Sequence, residues 1–317
     1  MRSRLAGPIL VPAVAALAAL AAGCGDGGSG APGDDAAVSA VATTTHVADF
    51  VREVGGERVD VHQILQPGSD PHGFEPRPSD IGAIVDADVV VRSGGEVDEW
   101  IDDVVDGAGA DVEVVDLLAV VDTIEVGGHE HGDEVDPHWW QSPPNVALAA
   151  DEIAAALAGV DRAGAAAYER RAAEYGDRLR ALDREVAACV ELVGPAQREL
   201  VTTHGALGYY AERYGLELVG ALIPSLSTAA QPSAGETQEL VDQIRARDVA
   251  AIFPESAIGA SLEEAVARET GAEVGAPLWS DSLGPEGSGG ETYVESIRAN
   301  TDAIVSGLTR GRRGCGG

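Results

Sequence analysis

Three histidines and an aspartate stand in loops that interrupt regular patterning. Asp70-Pro71-His72 and Asp136-Pro137-His138 repeat one triplet, Thr202-Thr203-His204-Gly205 sets a third imidazole at a strand-to-helix turn, and Trp279-Ser280-Asp281-Ser282 puts a carboxylate beyond the last β-branched run. The intervals of 66, 66 and 77 residues far exceed those of zinc fingers or of paired histidines on one helix. Residues so distant meet only if the fold gathers them. Neutral imidazoles with one carboxylate suit a borderline divalent cation, and three nitrogens with one oxygen fill a tetrahedral zinc sphere. A loop histidine is as readily a surface or hydrogen-bonding residue, so composition and spacing leave both roles open.

The elements that must position these loops read as α/β. Short β-branched runs at Val38–Thr44, Val59–Leu65, Asp88–Arg92 and Val112–Val115 alternate with helical stretches near His46–Val54, Pro78–Val85 and Val97–Val105. The pattern resumes with strands Glu199–Thr203, Glu217–Ala221, Val249–Pro254 and Ala272–Ala276, separated by helices Tyr209–Tyr214, Glu236–Arg245 and Leu262–Glu269. Such alternation predicts parallel βαβ units, which gather ligands at the carboxyl ends of their strands. Between the two runs Tyr168, Ala172, Tyr175, Leu179, Leu182, Val186, Cys189 and Val193 recur at intervals of three and four, forming one apolar stripe. The stripe predicts a helix from Gly164 to Val193, about 45 Å long, ended by Gly194-Pro195. A coiled-coil seam is the rival reading of that stripe. The expected architecture is two α/β lobes, each a mostly parallel sheet flanked by helices, over 38–160 and 195–317, joined by one long rigid helix over 161–194.

The N-terminus reads as an address. Arg2 and Arg4 precede an apolar stretch from Leu5 to Ala22, and small residues lead into Cys24, the layout of a secretory signal peptide over 1–23. The cysteine at the cleavage point resembles a bacterial lipobox, with Ala21 where Leu is more usual. Cys24 is therefore the expected lipid attachment point, a plainly cleaved or retained anchor being the alternative. Residues 24–37 are rich in Gly, with one Ser and one Pro, as befits a flexible tether. Cys189 and Cys315 then remain, either paired or as two free thiols. With 21 Lys+Arg against 53 Asp+Glu, the formal charge of −32 argues against nucleic acid as a partner. All the basic residues are arginine.

From about residue 38 to 310 the chain resembles the metal-specific solute-binding lipoproteins of ABC importers, the zinc- and manganese-uptake family. The likeness rests on Asp70-Pro71-His72 with Glu75-Pro76, Asp136-Pro137-His138, His204 with Gly208-Tyr209 and Tyr214-Gly215-Leu216, Phe253-Pro254-Glu255-Ser256, and Asp281-Ser282-Leu283-Gly284. It implies one metal ion held in the cleft between the lobes, by His72 and His138 from the first and His204 and Asp281 from the second. It also implies a monomeric, extracytoplasmic, lipid-anchored protein that hands its ion to a permease with a cytoplasmic ATPase. Manganese-type members tend to carry Glu where this chain has His204, so the resemblance favours Zn2+ as transported ligand, with Mn2+ or iron as alternatives. His129 and His131 lie in Gly127-Gly128-His129-Glu130-His131-Gly132-Asp133-Glu134, similar to a short version of the family's metal-collecting loop; a merely solvated loop is the alternative. His46 and His62 read as structural. Glu75 and Glu255 are expected to orient ligands or cap loops. A secreted zinc hydrolase would need an open coordination position and a general base, yet Asp281 would close the shell and no His-Glu-x-x-His or Gly-x-Ser-x-Gly motif occurs.

Overall fold

Val38 opens a run of small and β-branched residues that becomes the central strand of the first sheet. The computed structural model describes residues 38–109, 111–128 and 132–316. The expected signal peptide, the tether and Cys24 lie outside the described residues, as do His129 and His131.

In the first half, strands β1 (Val38–Ala42), β2 (Val59–Gln63), β3 (Val89–Arg92) and β4 (Glu113–Asp116) form a wholly parallel sheet in the order β2-β1-β3-β4. Helices α1 (Thr45–Gly55), α2 (Pro78–Val85) and α3 (Trp100–Ala108) make the crossovers. The Thr44 hydroxyl accepts the Val47 N–H and caps α1. Then β5 (Glu125–Gly128) and β6 (Gly132–Val135) pair as an antiparallel hairpin, and Pro143 opens α4 (Pro143–Val160).

The striped helix is α5 (Ala165–Val190), and all eight positions of the stripe are buried. It stops three residues short of Val193, because Leu192 and Val193 bond back only three residues, to Cys189 and Val190. Helices of the same chain cover the stripe, leaving no free coiled-coil seam.

The second half has β7 (Glu199–Thr202), α6 (Gly208–Tyr214), β8 (Glu217–Ala221), α7 (Ala234–Arg247), β9 (Ala251–Ile252), α8 (Ser261–Thr270), β10 (Glu273–Val274) and α9 (Tyr293–Leu308). β7 pairs with β8 and β9 with β10, all parallel. A parallel bridge between Thr202 and Phe253 joins the pairs, giving the order β8-β7-β9-β10. Each half thus reverses direction between its first and third strands, and such a switch point leaves a crevice at the carboxyl edge. The last two ladders are shorter than the runs that predicted them; Pro254 has no N–H to extend β9.

One apolar core crosses both halves, from Val38 and Phe50 through Tyr168 and Leu182 to Ile304 and Leu308. A smaller one, around Val201, Leu240 and Ile252, lies under α7 and α8. Cys189 and Cys315 are disulfide-bonded, their Cα atoms 5.3 Å apart. Among the described residues no helix is long and apolar enough to cross a membrane.

Candidate metal centre

Each of the four residues singled out by spacing lies just past a strand or ladder end. His72 follows β2 in a loop stiffened by Pro71 and Pro76, where Asp70 Oδ1 accepts the His72 N–H at 3.0 Å. His138 follows β6. Asp136 Oδ1 lies 2.9 Å from its backbone nitrogen and 2.7 Å from its Nδ1. His204 follows β7 and is held alike by Glu255 Oε1, 3.0 Å from its backbone nitrogen and 2.6 Å from its Nδ1. A carboxylate that accepts a hydrogen bond from Nδ1–H fixes the ring and turns Nε2 inward. Two histidines from different halves are therefore oriented by the same two-point clasp.

The inward atoms converge. His204 Nε2 lies 3.1 Å from Asp281 Oδ2 and 3.3 Å from His138 Nε2. His72 Nε2 is 3.5 Å from Asp281 Oδ2, and His138 Nε2 is 3.6 Å from Asp281 Oδ1. One donor atom from each of the four residues can be chosen so that all lie within 4.8 Å of one another. An ion about 2.1 Å from each of four tetrahedral donors holds them about 3.4 Å apart, close to these separations. His72 Nε2 and Asp281 Oδ1 are buried and make no hydrogen bond; such orphaned atoms need a partner. The set fits a small divalent cation.

The electrostatics point the same way. Burial works against a charged His204 ring, but the Asp281 and Glu255 carboxylates prevail and hold it well above the usual histidine value. Burial likewise opposes ionisation of Asp281, yet His204, His72 and His138 hold it well below the carboxylate range. Without metal, a proton on His204 faces Asp281 Oδ2 across 3.1 Å.

Glu255 orients a ligand-type side chain, as the sequence suggested, and its Oε2 also accepts the Ser280 hydroxyl at 2.8 Å. Glu75 does not: it is solvent-exposed and bonds to none of the four. Asp136 performs that task for His138, a role hidden inside the repeated triplet. Trp140 also went unmarked in the sequence. Its indole donates to the Ser280 carbonyl at 2.8 Å, joined there by the Gln141 amide, and its ring meets His138 edge-on. His46 stacks on Trp140 with its Nδ1 buried and unbonded. Burial lowers its pKa to about 4. His62 stays at the surface, 4.0 Å from Asp80.

Residues 40–307 match the family model ZnuA, the periplasmic zinc-uptake complex component A. The chain belongs to the ZnuA family. Among ZnuA-like relatives, the manganese-binding lipoprotein MntA of Halalkalibacterium halodurans is 31% identical over 277 residues, covering 87% of this chain and 90% of that one. The manganese ABC transporter substrate-binding lipoprotein PsaA of Streptococcus pneumoniae is 30% identical over 281 residues, 86% of this chain and 90% of its own. The periplasmic zinc-binding protein TroA of Treponema pallidum superposes with a TM-score of 0.80 at 27% identity, over 86% of this chain and 99% of that one.

Proposed function

We propose that this protein captures a divalent metal ion in the cleft between its halves and delivers it to an ABC permease, with Zn2+ as cargo and His72, His138, His204 and Asp281 as ligands. One observation carries the reading: four donors from four separate loops converge, two of them clasped from behind by carboxylates. Four converging ligand-type side chains, with the adjacent Asp136 and Glu255 carboxylates engaged by the ligand imidazoles, suit carriage better than hydrolysis. The family supports a permease with its ATPase as partner, and the lipoprotein names of its relatives support the reading of Cys24 as a lipid anchor. We further propose lobes over 38–160 and 195–317, a linking helix over 161–194, and an extracytoplasmic monomer.

A second reading has its own support. Two of the relatives named above are manganese lipoproteins, so the metal is the finer point at issue. Three nitrogens and one carboxylate favour zinc, because manganese prefers oxygen-rich octahedral shells. The deciding experiment strips the purified protein of metal, offers equimolar Zn2+ and Mn2+, and assays what is bound. One zinc per chain, lost in His204→Ala, is the expected result. Preferential manganese would keep the transport role and remove His204 as the selector. Tight binding of neither would overturn the site.

A further inference from the structure

We propose that Thr228 is a positioning residue that makes the placement of His72 conditional on the half of the protein that carries His204. The inference rests on the metal-site reading above and deepens it.

Asp70 faces two ways. Its Oδ1 accepts the His72 N–H at 3.0 Å, while its Oδ2 accepts the Thr228 hydroxyl at 2.7 Å, from a residue 158 positions away in the other half. The segment bearing Thr228 is in turn fixed to the His204 turn. Gly205, which adjoins His204, donates its N–H to the Ser225 carbonyl at 3.0 Å. A Cβ at Gly205 would lie 3.1 Å from that oxygen, so the two backbones run close. Ser225 Oγ then accepts the Ser227 N–H at 3.0 Å. A continuous path thus runs from His204 through Gly205, Ser225, Ser227, Thr228 and Asp70 to His72.

The base of the His72 loop is held separately. Gly68 donates to Ser282 Oγ at 2.8 Å and to the Leu283 carbonyl at 3.2 Å, beside Asp281. These bonds fix where the loop begins, and the Asp70–Thr228 bond fixes the stretch that carries the imidazole. A hydrogen bond to a carboxylate is among the stronger kind, and losing one changes an equilibrium about tenfold. Asp70 and Thr228 are only half-buried, so a small local opening at this contact, with the halves otherwise in place, lets water replace the hydroxyl and frees Asp70 together with His72. Losing the contact to the half that carries His204 and releasing His72 become one event.

The test follows zinc dissociation from the purified full chain into a chromophoric chelator. Thr228→Val keeps the shape and removes the hydroxyl; Thr228→Ser keeps the hydroxyl. Expected are a dissociation rate about tenfold higher in Thr228→Val, an unchanged association rate, and recovery in Thr228→Ser. Co2+ bound to Thr228→Val should show weaker ligand-field absorption than in wild type, as an imidazole leaves a four-coordinate shell. Unchanged dissociation in Thr228→Val, with affinity lost in His72→Ala, would overturn the proposal alone. Faster dissociation that Ser does not restore would overturn it too, since packing would then be the cause. Full affinity in His72→Ala would overturn the metal site first, and this inference with it.

Discussion

At the scale of single residues the site is a contest between a proton and a metal ion for the same nitrogen. His204 is held above the usual histidine value, so the metal-free ring carries its proton at neutral pH, and binding must expel it. Affinity should therefore rise with pH through the neutral range. Calorimetry at pH 7 in two buffers of different ionisation enthalpy should show about one proton released per ion; no release would contradict this protonation state. His46 obeys the opposite rule. Unfolded, it binds a proton near 6.5; folded, only near 4. Stability contributed by neutral His46 is present above pH 6.5 and lost toward pH 4, about 3 kcal/mol in all. Asp49 and Asp98, both raised by burial to about 6, act with the other sign: the folded state gains stability from their protons as pH falls below 6. A raw stability profile mixes the three. His46→Phe, which keeps a ring against Trp140, isolates one. Without metal, it should gain up to about 3 kcal/mol on wild type between pH 7 and pH 4, read from urea midpoints; equal midpoint shifts would refute the assignment.

At the scale of elements, the disulfide from α5 to the C-terminal segment closes a loop spanning 126 positions. By chain entropy such a link stabilises by about 5 kcal/mol. Cys189→Ser should lower the denaturation midpoint in oxidising buffer and make it insensitive to reductant; an unchanged midpoint would show that α9 packing suffices without the link. The sequence left this pairing open because two cysteines so far apart carry no local signal. Elements with strong periodicity were legible: the α5 stripe is buried at every predicted position, and the β-branched strands fall within a residue or two of expectation through β8. The β5–β6 hairpin was not, since Glu125–Gly128 and Gly132–Val135 are short, glycine-rich and polar. Helix α9 was missed although Thr292 and Glu295 form a capping box at its start. At the site, residue type and spacing marked four candidates and left their role open, and the family resemblance is what singled them out as a ligand set. The orienting carboxylates depend on turn geometry, and the Asp70–Thr228 bond on contacts across 158 positions; neither leaves a pattern along the chain.

At the scale of the whole molecule, both sheets share one strand order and both bring ligand-type loops to their carboxyl edges. The halves are stitched beyond the site as well: Tyr293 donates its hydroxyl to the Trp140 carbonyl at 2.7 Å, and Leu283 its N–H to Thr45 Oγ1 at 2.8 Å. Lobes so joined have little room to swing. Small-angle scattering should give the same radius of gyration with and without metal, and a marked expansion on stripping would refute the rigid picture. The unbroken core from β1 to α9 carries one more consequence. Neither half can come apart while the other survives, so calorimetry should record a single transition, which bound ion raises by mass action. A protease outside the cell acts on the opened chain, whose population falls as the cargo binds. The empty protein should then be cut faster than the loaded one, and equal rates of limited proteolysis with and without Zn2+ would refute that linkage.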